Sequence, residues 1–148
     1  MANGRAEYGP RALGNRSILA DPRQLNMKDR VNQIKHREEF RPFAPVILAD
    51  HVDDFFDLPV PDSPYMQFTG RCLEPDKYPA ICHVDGTSRV QTVTLNDNES
   101  LYWLLREWYR RTGCPMLLNT SLNVKGSPLV NSWTDAMDFK HQTGVEVY

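Results

Sequence analysis

The clearest pattern along the chain is a stripe of apolar residues between positions 98 and 112. The stripe consists of Leu101, Leu104, Leu105 and Trp108. Residues at this spacing lie on one face of a helix, so the pattern predicts a helix over 98–112 with one buried side. Gly113 follows the stripe, at the position where a glycine commonly ends a helix.

Two weaker patterns predict further helices. Met27, Val31 and Ile34 lie on one face of a predicted helix that begins after Asn26, a capping residue type, and ends near position 36. Ser132 predicts a second capped helix over 134–141. Within 8–19 we expect a glycine–proline turn, a short helical segment and then an apolar strand.

Short apolar runs predict strands between these helices. The predicted strands cover 17–20, 43–48, 80–84, 90–95, 115–118 and 145–148. The segment over 50–76 is rich in aspartate and proline, which favours loops and short elements, and 119–127 is predicted as a polar loop. Helices and strands that alternate irregularly in this way predict a mixed sheet of the α/β or α+β class.

Composition narrows the function classes. The chain has 148 residues, enough for one domain, and its net charge of -2 argues against a general nucleic-acid or membrane-surface binder. Cys72, Cys82 and Cys114 are widely spaced and form no CxxC pair, which favours reduced thiols and a cytoplasmic protein. No apolar stretch has the length of a signal peptide core or a membrane span.

The cations concentrate in the first third of the chain, which suits a compact anion better than a long polyanion. They are Arg5, Arg11, Arg16, Arg23, Lys28, Arg30, Lys35, Arg37 and Arg41. The chain also enters this glycine- and arginine-rich region with no preceding helix or strand. We therefore expect residues 1–148 to be an excised domain of a longer two-domain protein.

Familiar catalytic motifs are absent from the sequence. There is no GxxxxGK[ST] loop, no GxGxxG after a strand and no GxSxG elbow, and the four histidines show no helical pairing for zinc. Three polar segments could bind phosphates instead. They are EYGPRALGNRS over 7–17, KHREEFR over 35–41 and NTSLNVKG over 119–126, with Arg89 as an additional guanidinium group.

Each of these segments also has an ordinary structural interpretation. Arg11 and Arg16 could pair with Glu7 and Asp21, and the NTSLN residues could form a turn that bonds to its own backbone. The residues alone therefore predict an anion-binding α/β domain and no specific reaction.

Four sequence blocks resemble the C-terminal domain of the O-carbamoyltransferase family, which includes nodulation-factor and antibiotic carbamoyltransferases. The blocks are GRAEYGPRALGNRSILADPR, MKDRVNQIKHREEFRPFAP, HVDGTSRVQTV and TGCPMLLNTSLNVKGSPLV, in the order found in the family. The resemblance implies a YrdC-like fold, a twisted mixed sheet flanked by helices. It also implies that carbamoyl phosphate and ATP are converted to a carbamoyl-adenylate.

The resemblance assigns expected roles to individual residues. Lys35, Arg89, Arg11 and Ser121 are the expected catalytic residues, with Lys35 and Arg89 against the phosphates and the donor. The expected substrate- and nucleotide-binding residues are Arg37, Arg41, Asn119, Thr120, Asn123, Arg16 and Glu7. Among these, Asn119 and Asn123 join Ser121 on the nucleotide side, while Glu7 and Arg41 are expected to orient other residues.

The resemblance also implies partners. ATP is the expected co-substrate, with Mg²⁺ as a companion ion, and no metal ligand is expected in this chain. An N-terminal domain that resembles the metal-binding Kae1 type would pass the carbamoyl group to an acceptor hydroxyl. Two alternatives remain: an enzyme like threonylcarbamoyl-adenylate synthase, and a non-catalytic RNA-binding module that uses the basic first third.

Overall fold

The computed structural model describes all residues from Met1 to Tyr148. The helices are α1 (Met27–Ile34), α2 (Val52–Phe55), α3 (Glu99–Thr112) and α4 (Trp133–Thr143), with a 3₁₀ turn at Ala49–His51. The strands are β1 (Ser17–Ala20), β2 (Ala44–Leu48), β3 (Phe56–Asp57), β4 (Thr69–Cys72), β5 (Thr87–Arg89), β6 (Gln91–Val93) and β7 (Met116–Ser121).

The strands form two sheets. One has four strands in the order β1-β7-β2-β6, and it is mixed because β2 and β6 run parallel while the other pairs are antiparallel. The other is antiparallel, in the order β3-β4-β5. The mixed α/β architecture is therefore confirmed. A single residue, Val90, separates β5 in the smaller sheet from β6 in the larger one.

Both faces of the four-stranded sheet are covered by apolar side chains. Every residue of β2 is buried, as expected for a strand in the interior of the sheet. On one face, Val46, Leu48 and Leu117 pack against Leu101 and Leu105 of α3. The opposite side of the sheet packs against a larger apolar cluster to which α1 and α4 contribute. Two neighbouring strands, β2 and β7, thus have fixed positions at the centre of the fold.

Helix ends largely follow the sequence signals. The Asn98 side chain accepts a hydrogen bond from Leu101 N–H, and Gly113 ends α3 with a φ of 68°. Ser132 forms a capping box with Asp135 at the start of α4. Asn26 precedes α1 without a side-chain capping bond, and α1 ends at Ile34. None of the four helices is long and apolar enough to cross a membrane.

Several predicted elements are wrong. Residues 80–84 form turns, although Ala80 and Ile81 are buried, and residues 145–148 pair with no strand. The predicted strand over 90–95 is shortened to β6, which covers Gln91–Val93, and Val90 links it to β5 of the other sheet. Residues 8–19 contain no helix, only turns before β1. Residues 119–121, predicted as part of a loop, extend β7 to Ser121.

Candidate functional site

Two adjoining cavities bring together most of the polar residues that the sequence singled out. The first, called here the arginine cavity, has a volume of about 140 Å³. Its polar lining consists of Arg11, Arg37, Arg89, Asn119, Thr120 and Ser121. The second, the lysine cavity, has a volume of about 250 Å³. Its polar lining consists of Lys35, Arg37, Arg41, Ser121, Asn123 and Lys125. Arg37 and Ser121 line both cavities.

Four separate segments deliver these side chains. Arg89 ends β5, and residues 119–121 end β7, so each group is held by a sheet. Arg11 lies in the loop between Gly9 and Gly14, and Arg37 lies in the turn that follows α1. Because the segments are distant in sequence, only the folded chain assembles the cavities.

The arginine cavity contains cations without acidic partners. No aspartate or glutamate lines it, and the hydrogen bond of the Arg89 side chain is a long one, from Nη2 to Met66 Sδ at 4.0 Å. Burial lowers the pKa of Arg89, and the Arg11 charge lowers it further. Guanidinium groups that share a partly buried space repel each other, so an anion that enters it relieves this repulsion.

Arg37 is oriented by its neighbours. Its Nε donates to Asn32 Oδ1 at 2.6 Å, and Nη2 donates to Pro42 O at 3.2 Å. The Cζ atom lies 4.3 Å from the centre of the Phe43 ring. Burial lowers the pKa of Arg37, with a further contribution from Arg41. These contacts use one edge and one face of the guanidinium plane, and Arg37 lines both cavities.

Lys35 is buried and surrounded by oxygen atoms. Its Nζ donates to the backbone oxygen and to Oγ of Ser121, the latter at 3.2 Å, and lies 3.0 Å from both O and Oδ1 of Asn123. Burial, followed by the Arg37 charge, lowers the pKa of Lys35 to about 7. The oxygen atoms act in the opposite direction, because they favour the charged ammonium group.

Two predicted site residues, Glu7 and Arg16, lie outside both cavities. Glu7 Oε1 accepts hydrogen bonds from the backbone N–H groups of Leu13, Asn15 and Arg16, which fixes the loop that carries Arg11. The buried guanidinium group of Arg16 donates to four backbone carbonyls, those of Asn3, Gly4, Asn15 and Asn131. In this structure both side chains contact the protein backbone.

Two contributors to the site, Asn32 and Gln91, lie outside the segments that the sequence singles out, and a third, Lys125, lies within 119–126. Asn32 is fully buried, accepts from Arg37, and donates to the carbonyls of Glu39 and Arg41, which shapes the turn after α1. Gln91 donates to Leu13 O and accepts from Asn119. Lys125 extends the lysine cavity and pairs with Glu38 at 2.6 Å. No local signal distinguishes Asn32 and Gln91, because α1 is mostly polar and β6 consists of Gln91, Thr92 and Val93.

The comparison with protein families gives a match over the whole chain. The family model described as "Carbamoyltransferase C-terminus" matches residues 1–148. The chain belongs to this carbamoyltransferase C-terminal family. The expected resemblance to carbamoyltransferases is thereby confirmed.

Curated relatives show the same relationship. The nodulation protein NolNO of Sinorhizobium fredii is 49% identical over 141 residues, covering 90% of this chain and 20% of the relative. The 3'-hydroxymethylcephem-O-carbamoyltransferase of Amycolatopsis lactamdurans is 40% identical over 142 residues, covering 96% of this chain and 27% of the relative. Nodulation protein U of Sinorhizobium fredii is 48% identical over 126 residues, covering 84% of this chain and 22% of the relative. The chain thus spans about a quarter of the length of these relatives.

Proposed function

We propose that this domain binds carbamoyl phosphate and ATP and forms a carbamoyl-adenylate, the activation half of an O-carbamoyl transfer. The observation that carries the proposal is the arginine cavity, in which three guanidinium groups meet without a carboxylate. Such a cavity suits a small, highly charged anion, because planar guanidinium groups match the oxygen atoms of phosphates. Membership in the carbamoyltransferase C-terminal family supports the choice of a carbamoyl donor.

The proposed reaction has two balanced steps. Water hydrolyses carbamoyl phosphate to carbamate and inorganic phosphate. A carbamate oxygen then bonds to the α-phosphorus of ATP, the bond from that phosphorus to the bridging oxygen of the β-phosphate breaks, and pyrophosphate leaves. Both steps bring anions together, so fixed positive charge in a preorganised site is the main contribution expected from the protein.

The two cavities suggest a division of roles. Arg11, Arg37 and Arg89 surround the donor phosphate and later the carbamate in the arginine cavity. Lys35, Arg41 and Lys125 line the lysine cavity, where the proposal places the ATP phosphates. Because Ser121 lines both cavities, it lies next to the place where carbamate and ATP would meet.

The proposal includes a second domain and, with ATP, Mg²⁺. The curated relatives are several times longer than this chain, which leaves room for an N-terminal domain that binds the acceptor and completes the transfer. In this proposal, the ion arrives bound to the ATP phosphates.

Calorimetry tests the proposal directly. Carbamoyl phosphate would be titrated into the chain with and without a non-hydrolysable ATP analogue, and the titration repeated on Arg89→Ala. We expect saturable binding that weakens by about tenfold or more in Arg89→Ala, because a charge-assisted bond is lost. The matched control is Arg110→Ala, whose guanidinium group pairs with Glu107 on the surface of α3. Equal affinity in the wild type and Arg89→Ala would refute the proposed site.

A further inference from the structure

Two residues that line the arginine cavity each carry a buried polar atom without a partner within the protein. Four buried side-chain polar atoms of the chain lack a hydrogen bond: Glu7 Oε2, Arg16 Nε, Arg89 Nε and Asn119 Oδ1. Two of the four, Arg89 Nε and Asn119 Oδ1, belong to residues that line the arginine cavity. One is a hydrogen-bond donor and the other is an acceptor. Buried polar groups nearly always have a partner, so this pair points to a ligand.

The direction in which Asn119 presents its oxygen is set by the backbone. Asn119 Nδ2 donates to Ala12 O at 3.0 Å and to Gln91 Oε1 at 2.7 Å. Gln91 Nε2 in turn donates to Leu13 O at 3.1 Å. Each amide therefore has its nitrogen against a main-chain carbonyl, which can only accept a hydrogen bond. An amide flip is excluded, and Oδ1 of Asn119 is the free acceptor.

The strand register holds this acceptor in place. Asn119 lies opposite Leu19 of β1 and Ala44 of β2 in the interior of the four-stranded sheet. The residue is 2% exposed. A rigid acceptor of this kind discriminates strongly, because a ligand that cannot donate to it leaves it unsatisfied.

We infer that Asn119 Oδ1 accepts a hydrogen bond from the amino group of the donor, and so selects a carbamoyl group over an acyl group of the same shape. The inference rests on the proposed function and adds the determinant of its donor specificity. Carbamoyl phosphate offers phosphate oxygens to the arginines, including Arg89 Nε, and an N–H donor to Asn119. Acetyl phosphate offers the same oxygens, but a methyl group replaces the amino group.

This role differs from the position on the nucleotide side that the family resemblance implies for Asn119. The contacts to Ala12 and Gln91 place the amide against the loop that carries Arg11. Asn119 lines the arginine cavity and does not line the lysine cavity. Ser121 and Asn123 line the lysine cavity, where the proposal places ATP.

A matched pair of stable ligands tests the inference on the wild-type chain. Phosphonoacetamide and acetonylphosphonate carry the same phosphonate charge and differ only in an amino group against a methyl group. Calorimetric titration of each into the chain gives the ratio of their dissociation constants. We expect phosphonoacetamide to bind about 10- to 100-fold more tightly, the range typical of an unsatisfied buried acceptor.

Variants assign the preference to one side chain. In Asn119→Leu, and in Asn119→Ala if the leucine variant does not fold, we expect the two ligands to bind within about threefold of each other. Gln91→Leu is the matched control, because it removes one partner of the Asn119 amide while Ala12 O still orients it. This control should keep most of the preference for phosphonoacetamide.

The outcomes separate the inference from the proposed function. Equal binding of both phosphonates to the wild type would overturn the role of Asn119 and leave the anion site intact. A preference that persists in both Asn119 variants would also overturn it. If neither phosphonate binds to the folded wild-type chain, the arginine cavity is not an anion site, and both proposals fail.

Discussion

Lys35 connects two segments that lie 86 residues apart in the sequence. Its ammonium group bonds to Ser121 and Asn123, and its backbone oxygen accepts a hydrogen bond from Lys125 N–H at 2.8 Å. Lys35 therefore fixes the segment after β7 through both its side chain and its backbone. The family resemblance assigns Lys35 a contact with substrate, and the structure adds a structural role for the same charge.

The ionisation of Lys35 makes stability depend on pH. Its pKa is about 7 in the folded chain and near 10.5 when exposed, so the unfolded chain binds more protons between these values. Stability from this group is lost as the pH falls through the folded pKa and recovers as the pH rises from 7 towards 10.5. The wild type should therefore gain stability relative to Lys35→Met between pH 7 and pH 9, by at most about 1.4 kcal/mol per pH unit.

Urea unfolding of both proteins across this pH range provides the measurement. The difference in free energy of unfolding between wild type and Lys35→Met isolates Lys35, because the remaining ionisable groups are shared. A difference that does not change with pH would show that the oxygen atoms of Ser121 and Asn123 keep the ammonium group charged.

Among the elements, the loop between Gly9 and Gly14 depends on its second glycine. Gly14 has a φ of 124°, and a Cβ atom there would lie 2.7 Å from Leu101 Cδ2 and 2.9 Å from Asn98 Nδ2. The loop thus packs directly on the first turn of α3. This contact, together with the bonds to Glu7, fixes the backbone on which Arg11 lies.

Substitution of the two glycines by alanine separates backbone strain from steric contact. Gly9 has a φ of 125°, nearly the same as Gly14, but a Cβ atom there would meet nothing within 4 Å. We expect Gly9→Ala to cost about 1 kcal/mol from strain alone, and Gly14→Ala to cost about 2–4 kcal/mol because crowding is added. Urea unfolding measures both. Equal losses would show that α3 moves away from the loop at little cost.

Sequence patterns correctly predict the elements whose formation depends on residues close together in the sequence. The stripe that includes Leu101 and Leu105 and the capping residues Asn98 and Ser132 act within a few positions, and α3 and α4 formed accordingly. The apolar run over 80–84 predicts a strand, but only Ala80 and Ile81 are buried. Ala80 N–H donates to the distant Pro22 O, while the N–H groups of Ile81 and Cys82 donate to Tyr78 O in a local turn, so the segment does not pair as a strand.

The residues of the candidate site likewise divide into those that a local segment indicates and those that only long-range contacts connect. Arg11, Arg37 and Ser121 stand in conspicuous polar segments, and the structure brings them to one place. Gln91 and Asn119 lie inside strands, and their role arises from a bond across 28 residues and another to Leu13 across 78 residues. No spacing rule connects such positions, so the network required the three-dimensional structure.

In the whole molecule, ligand binding should stabilise both sheets together. The arginine cavity takes Arg89 from the three-stranded sheet and residues 119–121 from the four-stranded sheet. A ligand that contacts both adds its binding free energy to folding. At a concentration 100 times its dissociation constant, phosphonoacetamide should contribute about 2.7 kcal/mol and raise Tm by about 5–10 °C.

A thermal unfolding series tests this expectation. Increasing phosphonoacetamide should raise the Tm of the wild type and of Arg110→Ala in parallel, while a tenfold weaker affinity in Arg89→Ala should reduce the shift to about half at the same concentrations. A similar shift in Arg89→Ala would mean that the phosphonate stabilises the chain from another position.

Lys35 contacts the loop after β7 through its side chain and its backbone, and these contacts have a consequence for divergence and engineering. We expect Lys35 and the NTSLN segment to change together among relatives, since a change in either alters the acceptors or the donor of the other. Transplanting the NTSLN segment alone into a related carbamoyltransferase should give a poorly formed loop. Transfer of Lys35 together with the NTSLN segment should preserve the contacts that form the loop, although it alters more residues.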